Sequence, residues 1–155
     1  VYLKASQNPN GTWAGGHGVG HASIGGLTLL ECGVPPNDPF VQRAAFYVRS
    51  NILNETSTYE ISLAILFLDR LGDPRDRANI QGLALRLLAG QNHCGGWTYN
   101  CPVRTPQEMY QLYAFLQSQR PMLQNPVGAT PALQNPVQRD PLSKDDAFVR
   151  LHEMM

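Results

Sequence analysis

The chain has 155 residues, 43% of them hydrophobic, enough to bury one core and asking for no more than one domain with a tail. Twelve Lys and Arg are matched by twelve Asp and Glu, so no net field draws the protein to nucleic acid or to an anionic membrane surface. No apolar run approaches the roughly 20 residues that cross a bilayer, so the sequence predicts a soluble protein with no transmembrane segment.

In chain order, Val1-Tyr2-Leu3-Lys4 reads as the end of a helix already under way, and the chain does not open with Met. The natural amino terminus is therefore expected upstream, which leaves any signal peptide unjudged. Three cysteines, Cys32, Cys94 and Cys101, cannot all pair within one chain, so the redox compartment stays open. A Gln-x-x-x-Gly-x-Trp run, Gln7 to Trp13, leads into a Gly-rich loop holding Gly15, Gly16, Gly18 and Gly20 with His17 and His21. A helix follows, and Gly33 with Pro35-Pro36 supplies a left-handed stop and a block to its continuation. Val41, Ala44, Ala45 and Val48 then form one helical stripe.

The pattern returns. Displaced by 39 positions, Ser23, Leu29, Gly33, Pro35, Val41, Gln42 and Ala45 fall on Ser62, Leu68, Gly72, Pro74, Ile80, Gln81 and Ala84. A period near 40 marks a repeat whose unit is one helical hairpin, unable to bury its apolar face except against other copies. The first helix of a unit is apolar nearly all round, as in Ile61, Leu63, Ala64, Ile65, Leu66, Phe67, Leu68 and Leu71, which suits an inner, enclosed helix. The second carries one stripe, Ile80, Leu83, Ala84, Leu87 and Leu88, which suits an outer helix. A second clasp-like run spans Gln91 to Trp97, and a third copy begins after it with Met109, Leu112, Tyr113 and Leu116. The pattern stops at Arg120-Pro121. Residues 1–119 are thus expected to form a repeat domain of about three hairpins. With five prolines between Pro121 and Pro141, residues 120–142 read as a linker, and 143–155 as a short terminal helix or tail that Ser143 and Asp146 could cap.

The paired motif serves as a clasp: Gln7 and Gln91 to hydrogen-bond free backbone, Gly11 and Gly95 for the turn, Trp13 and Trp97 to pack over the adjacent hairpin. At residues 52–59 it has degenerated. The pattern resembles the repeat motif of squalene and oxidosqualene cyclases, and the hairpin layout resembles protein prenyltransferase β subunits. The resemblance covers residues 1–119 and implies an all-α fold, an α/α-toroid of helical hairpins with inner and outer helices. A closed ring needs more hairpins than the three visible here, so the chain resembles part of a ring, completed upstream or by a homo- or hetero-oligomeric partner. It further implies a cavity lined by inner helices. The catalytic signatures of those enzymes are missing: there is no Asp-x-Asp-Asp run and no Asp-x-Cys pair. Phosphate-loop, His-Glu-x-x-His and Gly-x-Ser-x-Gly motifs are missing as well.

What remains is a polar set at the amino ends of the inner helices: His17, His21, Glu60 and Cys101. Imidazoles four residues apart share a helix face, and imidazole with thiolate suits zinc, with His93 and Cys94 nearby in sequence. Against that, the glycines serve backbone turns and the histidines cap the helix or face water. Cys32 reads as a small buried filler, and Trp13, Tyr59, Trp97 and Tyr99 either line a ligand cavity or pack the clasps and core. Three functions follow as expectations: a cyclase- or prenyltransferase-like domain binding an isoprenoid or other apolar molecule, a non-catalytic scaffold for a protein partner or self-assembly, and a zinc-binding module at the inner-helix amino ends.

Overall fold

A computed structural model describes residues 2–124, with side chains through Ser118. The described residues are helical and contain no strand: α1 (Tyr2–Ser6), α2 (Gly18–Glu31), α3 (Pro39–Asn51), α4 (Thr58–Leu71), α5 (Arg77–Ala89) and α6 (Pro106–Gln124), with 3-10 turns at Ile52–Asn54 and Pro74–Asp76. The fold is all-α. The chain divides into two compact units, Val1–Val103 and Arg104–Met155.

In the first unit α2 packs on both α3 and α4, and α4 on α5. Two hairpins therefore stand side by side, joined through their first helices. The shared core is Val19, Ala22, Leu29 and Leu30 from α2, Val41, Ala44, Ala45 and Val48 from α3, and Ile61, Ala64, Phe67 and Leu68 from α4. The hairpin turns follow the sequence. Gly33 (φ +81°) closes α2 with Val34 N–H donating to Leu29 at 3.0 Å and Gly33 N–H to Leu30 at 2.9 Å, the two bonds that satisfy orphan carbonyls at a helix end. Gly72 (φ +72°) ends α4 in the same conformation.

Both clasps form, and they are built alike. Gln7 donates to the Gly11 carbonyl at 3.2 Å and to Phe40 at 2.9 Å, and Gln91 donates to the Gly95 carbonyl at 2.6 Å. The Trp13 indole N–H meets the Leu3 carbonyl at 2.9 Å, and that of Trp97 meets Leu87 at 2.6 Å. Leu3 on α1 and Leu87 on α5 both lie ten residues before their tryptophan, so α1 stands to the first clasp as the last turn of α5 stands to the second. The degenerate junction at 52–59 is held differently. Arg86, buried on α5, sends its guanidinium to the carbonyls of Leu53, Glu55 and Cys101, so one charged fork replaces the Gln and Trp contacts.

Ion pairs fasten the second helices of the hairpins. Lys4 on α1 meets Asp38, the N-cap of α3, at 2.7 Å. Arg49 on α3 meets Asp73 at 2.9 Å and Asp76 at 2.6 Å at the start of α5. Sequence offsets of 84 and 39 place Lys4 and Arg49 on Leu88, where the series of basic residues ends.

In the second unit, α6 starts with a reciprocal cap: Glu108 N–H donates to Thr105 Oγ1 at 3.2 Å, while Thr105 N–H donates to Glu108 Oε2 at 2.6 Å. The helix runs to Gln124, beyond Arg120-Pro121 where the periodic pattern stops. The rest of the 120–142 segment and the 143–155 segment lie outside the described residues.

Candidate functional site

Along α2, His17, His21, Ile24, Thr28 and Glu31 recur at the spacing of one helix face. Of these, His17, Ile24, Thr28 and Glu31 are exposed and His21 is half-buried. On α4, Tyr59, Leu63, Leu66 and Arg70 do the same, with Tyr59 and Leu66 each 56% exposed. The two stripes run together. Arg70 Nε donates to Glu31 Oε1 at 2.5 Å at their carboxyl ends, and Glu60 joins α4 to His17 and Gly20 at their amino ends. The result is one face about 21 Å long, from fourteen residues at 1.5 Å each, apolar in the middle (Ile24, Leu63, Leu66) and polar at both ends.

Two glycines allow the helices to come this close. A Cβ on Gly26 would stand 2.5 Å from the Phe67 ring, and one on Gly20 would stand 3.1 Å from Glu60 Cγ. Gly25 likewise makes room for the Trp13 indole, at 2.4 Å. Reading the Gly-rich stretch as backbone turns is therefore corrected: Gly18 and Gly20 lie within α2, where they clear space for Tyr47 and Glu60. Gly15, at φ +138°, does serve a turn, and its open side accommodates the His21 ring.

The amino end of the face holds the polar chemistry. Glu60 is 4% exposed; its Oε2 accepts the Gly20 N–H at 2.8 Å and its Oε1 lies 2.9 Å from His17 Nδ1. A carboxylate only accepts, so the proton belongs on Nδ1 and Nε2 is left as the acceptor. The His17 side chain is 67% exposed. The His21 ring stands edge-on to it with centroids 6.2 Å apart, and His21 Nδ1 is buried without a hydrogen-bond partner.

The four residues expected to hold zinc do not converge. His17, His21 and Glu60 are neighbours, but the Cys101 thiol donates to the Arg86 carbonyl at 2.9 Å in a buried position. Among the described residues no group of three or more His, Cys, Asp or Glu is placed to share a metal ion. His93 and Cys94 are exposed in the second clasp, and Cys32, expected as a buried filler, is exposed at the C-cap of α2.

The four aromatics expected at a cavity separate as well. Trp13 packs on Gly25, Tyr59 lies on the exposed face, and Trp97 and Tyr99 are 47% and 93% exposed. A depression of about 390 Å³ lies elsewhere, lined by Asn10, Arg43, Phe46 and Tyr47 among others. Sequence reasoning missed Ile24 and Arg86. The i, i+4, i+7 spacing from His17 was the available signal for the first, and an Arg on the apolar face of a predicted helix was the signal for the second. Among the described residues no helix is long and apolar enough to cross a membrane. Comparison of the chain with protein-family models, with curated proteins and with solved structures gives no match.

Proposed function

We propose that the two hairpins are repeats of an α/α-toroid of the terpenoid-cyclase and prenyltransferase type, with α2 and α4 as inner helices, and that their joint face binds an isoprenoid or similar apolar molecule. The supporting observation is that face: Ile24, Tyr59 and Leu66 are 44%, 56% and 56% exposed on two helices held side by side. Large apolar side chains gathered on one exposed face mark binding surfaces. A ligand with an apolar body and one hydrogen-bonding end matches its order of residues, apolar middle and His17 at the amino end.

The test is calorimetric titration of the protein with the isoprenoid alcohol farnesol, wild type against Leu66→Asp. Saturable binding that weakens at least tenfold in the variant supports the reading, and no binding to the wild type overturns it. Concentration-dependent association of the wild type, abolished by the same variant in the absence of farnesol binding, would instead favour the self-assembling scaffold.

A further inference from the structure

We infer that His17 is a general base acting from Nε2 on water, with Glu60 as its positioning residue, and that the substrate class is the carboxylic ester of an apolar acyl chain. The ester's apolar part rests on the binding face proposed above; the base does not. Three observations carry the base. The Glu60 carboxylate is buried, so on its own side water competes little for the hydrogen bond to Nδ1. Its second oxygen is fixed by the Gly20 N–H, which locks the carboxylate's orientation. The imidazole is two-thirds exposed, so the acceptor nitrogen is open to a reactant. An imidazole whose far nitrogen is anchored by a buried carboxylate is the orienting half of a hydrolytic triad. Water reaches an imidazole this exposed and serves as the nucleophile.

The chemistry balances with these groups alone. His17 Nε2 takes one proton from water as the water oxygen bonds to the acyl carbon, and the Glu60 carboxylate stabilises the imidazolium through Nδ1–H. The tetrahedral intermediate then breaks its bond to the alkoxy oxygen, and the imidazolium returns the proton to the leaving alcohol. The products are a carboxylic acid and an alcohol, with no oxidant, metal or cofactor consumed. In Glu60→Gln the amide oxygen still accepts from Gly20, but the amide N–H₂ then faces His17. The imidazole must turn its acceptor nitrogen inward and its N–H outward, so Nε2 no longer serves as a base.

The experiment measures p-nitrophenyl acetate and p-nitrophenyl decanoate hydrolysis by the wild type, His17→Ala and Glu60→Gln, with an equimolar free-imidazole control, and records the His17 tautomer by ¹⁵N NMR. Expected are acetate turnover above the imidazole control, a loss on the order of 100-fold in His17→Ala and of tenfold or more in Glu60→Gln, and a tautomer exchange in Glu60→Gln. His17 is exposed, so its alanine variant is expected to fold and decides the question even if the Glu60 variant does not. Wild-type turnover equal to that of His17→Ala, or an unchanged tautomer and rate in a folded Glu60→Gln, overturns the base. A decanoate rate no greater than the acetate rate overturns the apolar binding face and leaves the base standing.

Discussion

Glu60 reaches back forty residues in sequence to accept the Gly20 N–H at 2.8 Å, although its own helix offers a local partner. Ser57-x-x-Glu60 has the spacing of a reciprocal capping box, the arrangement that Thr105 and Glu108 complete on α6. At α4 only half of it forms: Glu60 N–H donates to Ser57 Oγ at 3.4 Å, and the carboxylate serves α2, whose N-cap His17 makes no side-chain cap bond. A buried acceptor at a helix amino end also meets the positive end of the macrodipole. Glu60→Ala is expected to destabilise the protein by about 2–4 kcal/mol, since it leaves the Gly20 N–H and the helix end unpartnered. Glu60→Gln keeps one acceptor and is expected to cost less than half as much. Equal losses for both variants in urea denaturation would refute this account.

Gly26 and Phe67 set the distance between α2 and α4. Exchanging a mid-helix Gly for Ala normally stabilises a helix by up to about 1 kcal/mol. Here the added methyl would stand 2.5 Å from two ring carbons of a fully buried Phe67. Overpacking costs about 1–3 kcal/mol, so Gly26→Ala is expected to destabilise, and Phe67→Leu in the same chain is expected to return part of the loss. A double-mutant cycle measures that coupling. A coupling energy near zero would mean the helices shift apart freely.

Gly20 and Gly26 also show where the sequence stops being informative. Gly33 and Gly72 were legible as helix stops because Pro follows within two residues and the rule is local. The paired clasps were legible because the motif carries its own turn, and both form. What Gly20 and Gly26 do depends on side chains 40 and 41 residues away, which no local pattern encodes. For the same reason the polar set expected at one end divides: Glu60 lies 2.9 Å from His17, whereas Cys101 turns to the Arg86 carbonyl. It follows the second clasp at the same distance in sequence, but the Arg86 guanidinium draws its segment inward.

The clasps are alike in hydrogen bonding and unlike in burial. The motif expects both tryptophans to pack over the adjacent hairpin, yet Trp97 is 47% exposed, while Trp13 is packed against Gly25. Truncating a buried Trp costs about 3–5 kcal/mol. Trp13→Ala is expected to fall near the low end of that range and Trp97→Ala near about 1–2 kcal/mol, the worth of its hydrogen bond and a half-covered ring. Thermal melts of the two variants check the order. A larger loss for Trp97 would reverse it.

Arg49 is the only bridge from α3 to Asp76 among the described residues, and Asp76 is 1% exposed. Removing one partner of a buried pair leaves an uncompensated charge, at a cost of about 3–5 kcal/mol. Arg49→Met is therefore expected to destabilise strongly, and Arg49→Met with Asp76→Asn much less than the sum of the two single changes. Chemical denaturation of the three variants measures the difference, and strict additivity would contradict the pairing.

The same series of ion pairs gives a pH dependence. The Lys4 side chain, by its hydrogen bond first, holds the Asp38 carboxyl below its ordinary value of 3.8, and hydrogen bonds from the Arg75 side chain and backbone hold Asp73 well below it. A carboxyl whose folded pKa is depressed contributes stability that is fully present above the unfolded value and is lost as pH falls through the folded value. Both contributions are therefore present at pH 7 and decline below about pH 4. Asn is also a good N-cap, so Asp38→Asn and Asp73→Asn retain the caps of α3 and of the Pro74–Asp76 turn while removing the charge. The double variant is expected to be less stable than the wild type at pH 7, with a gap that narrows as pH drops toward 2 and as salt is raised, because these pairs reach solvent and are screened. Urea unfolding at pH 7 and pH 2.5, each at two ionic strengths, reads both trends. A gap that stays constant with pH would show that the aspartates act as neutral caps and that their ion pairs add nothing.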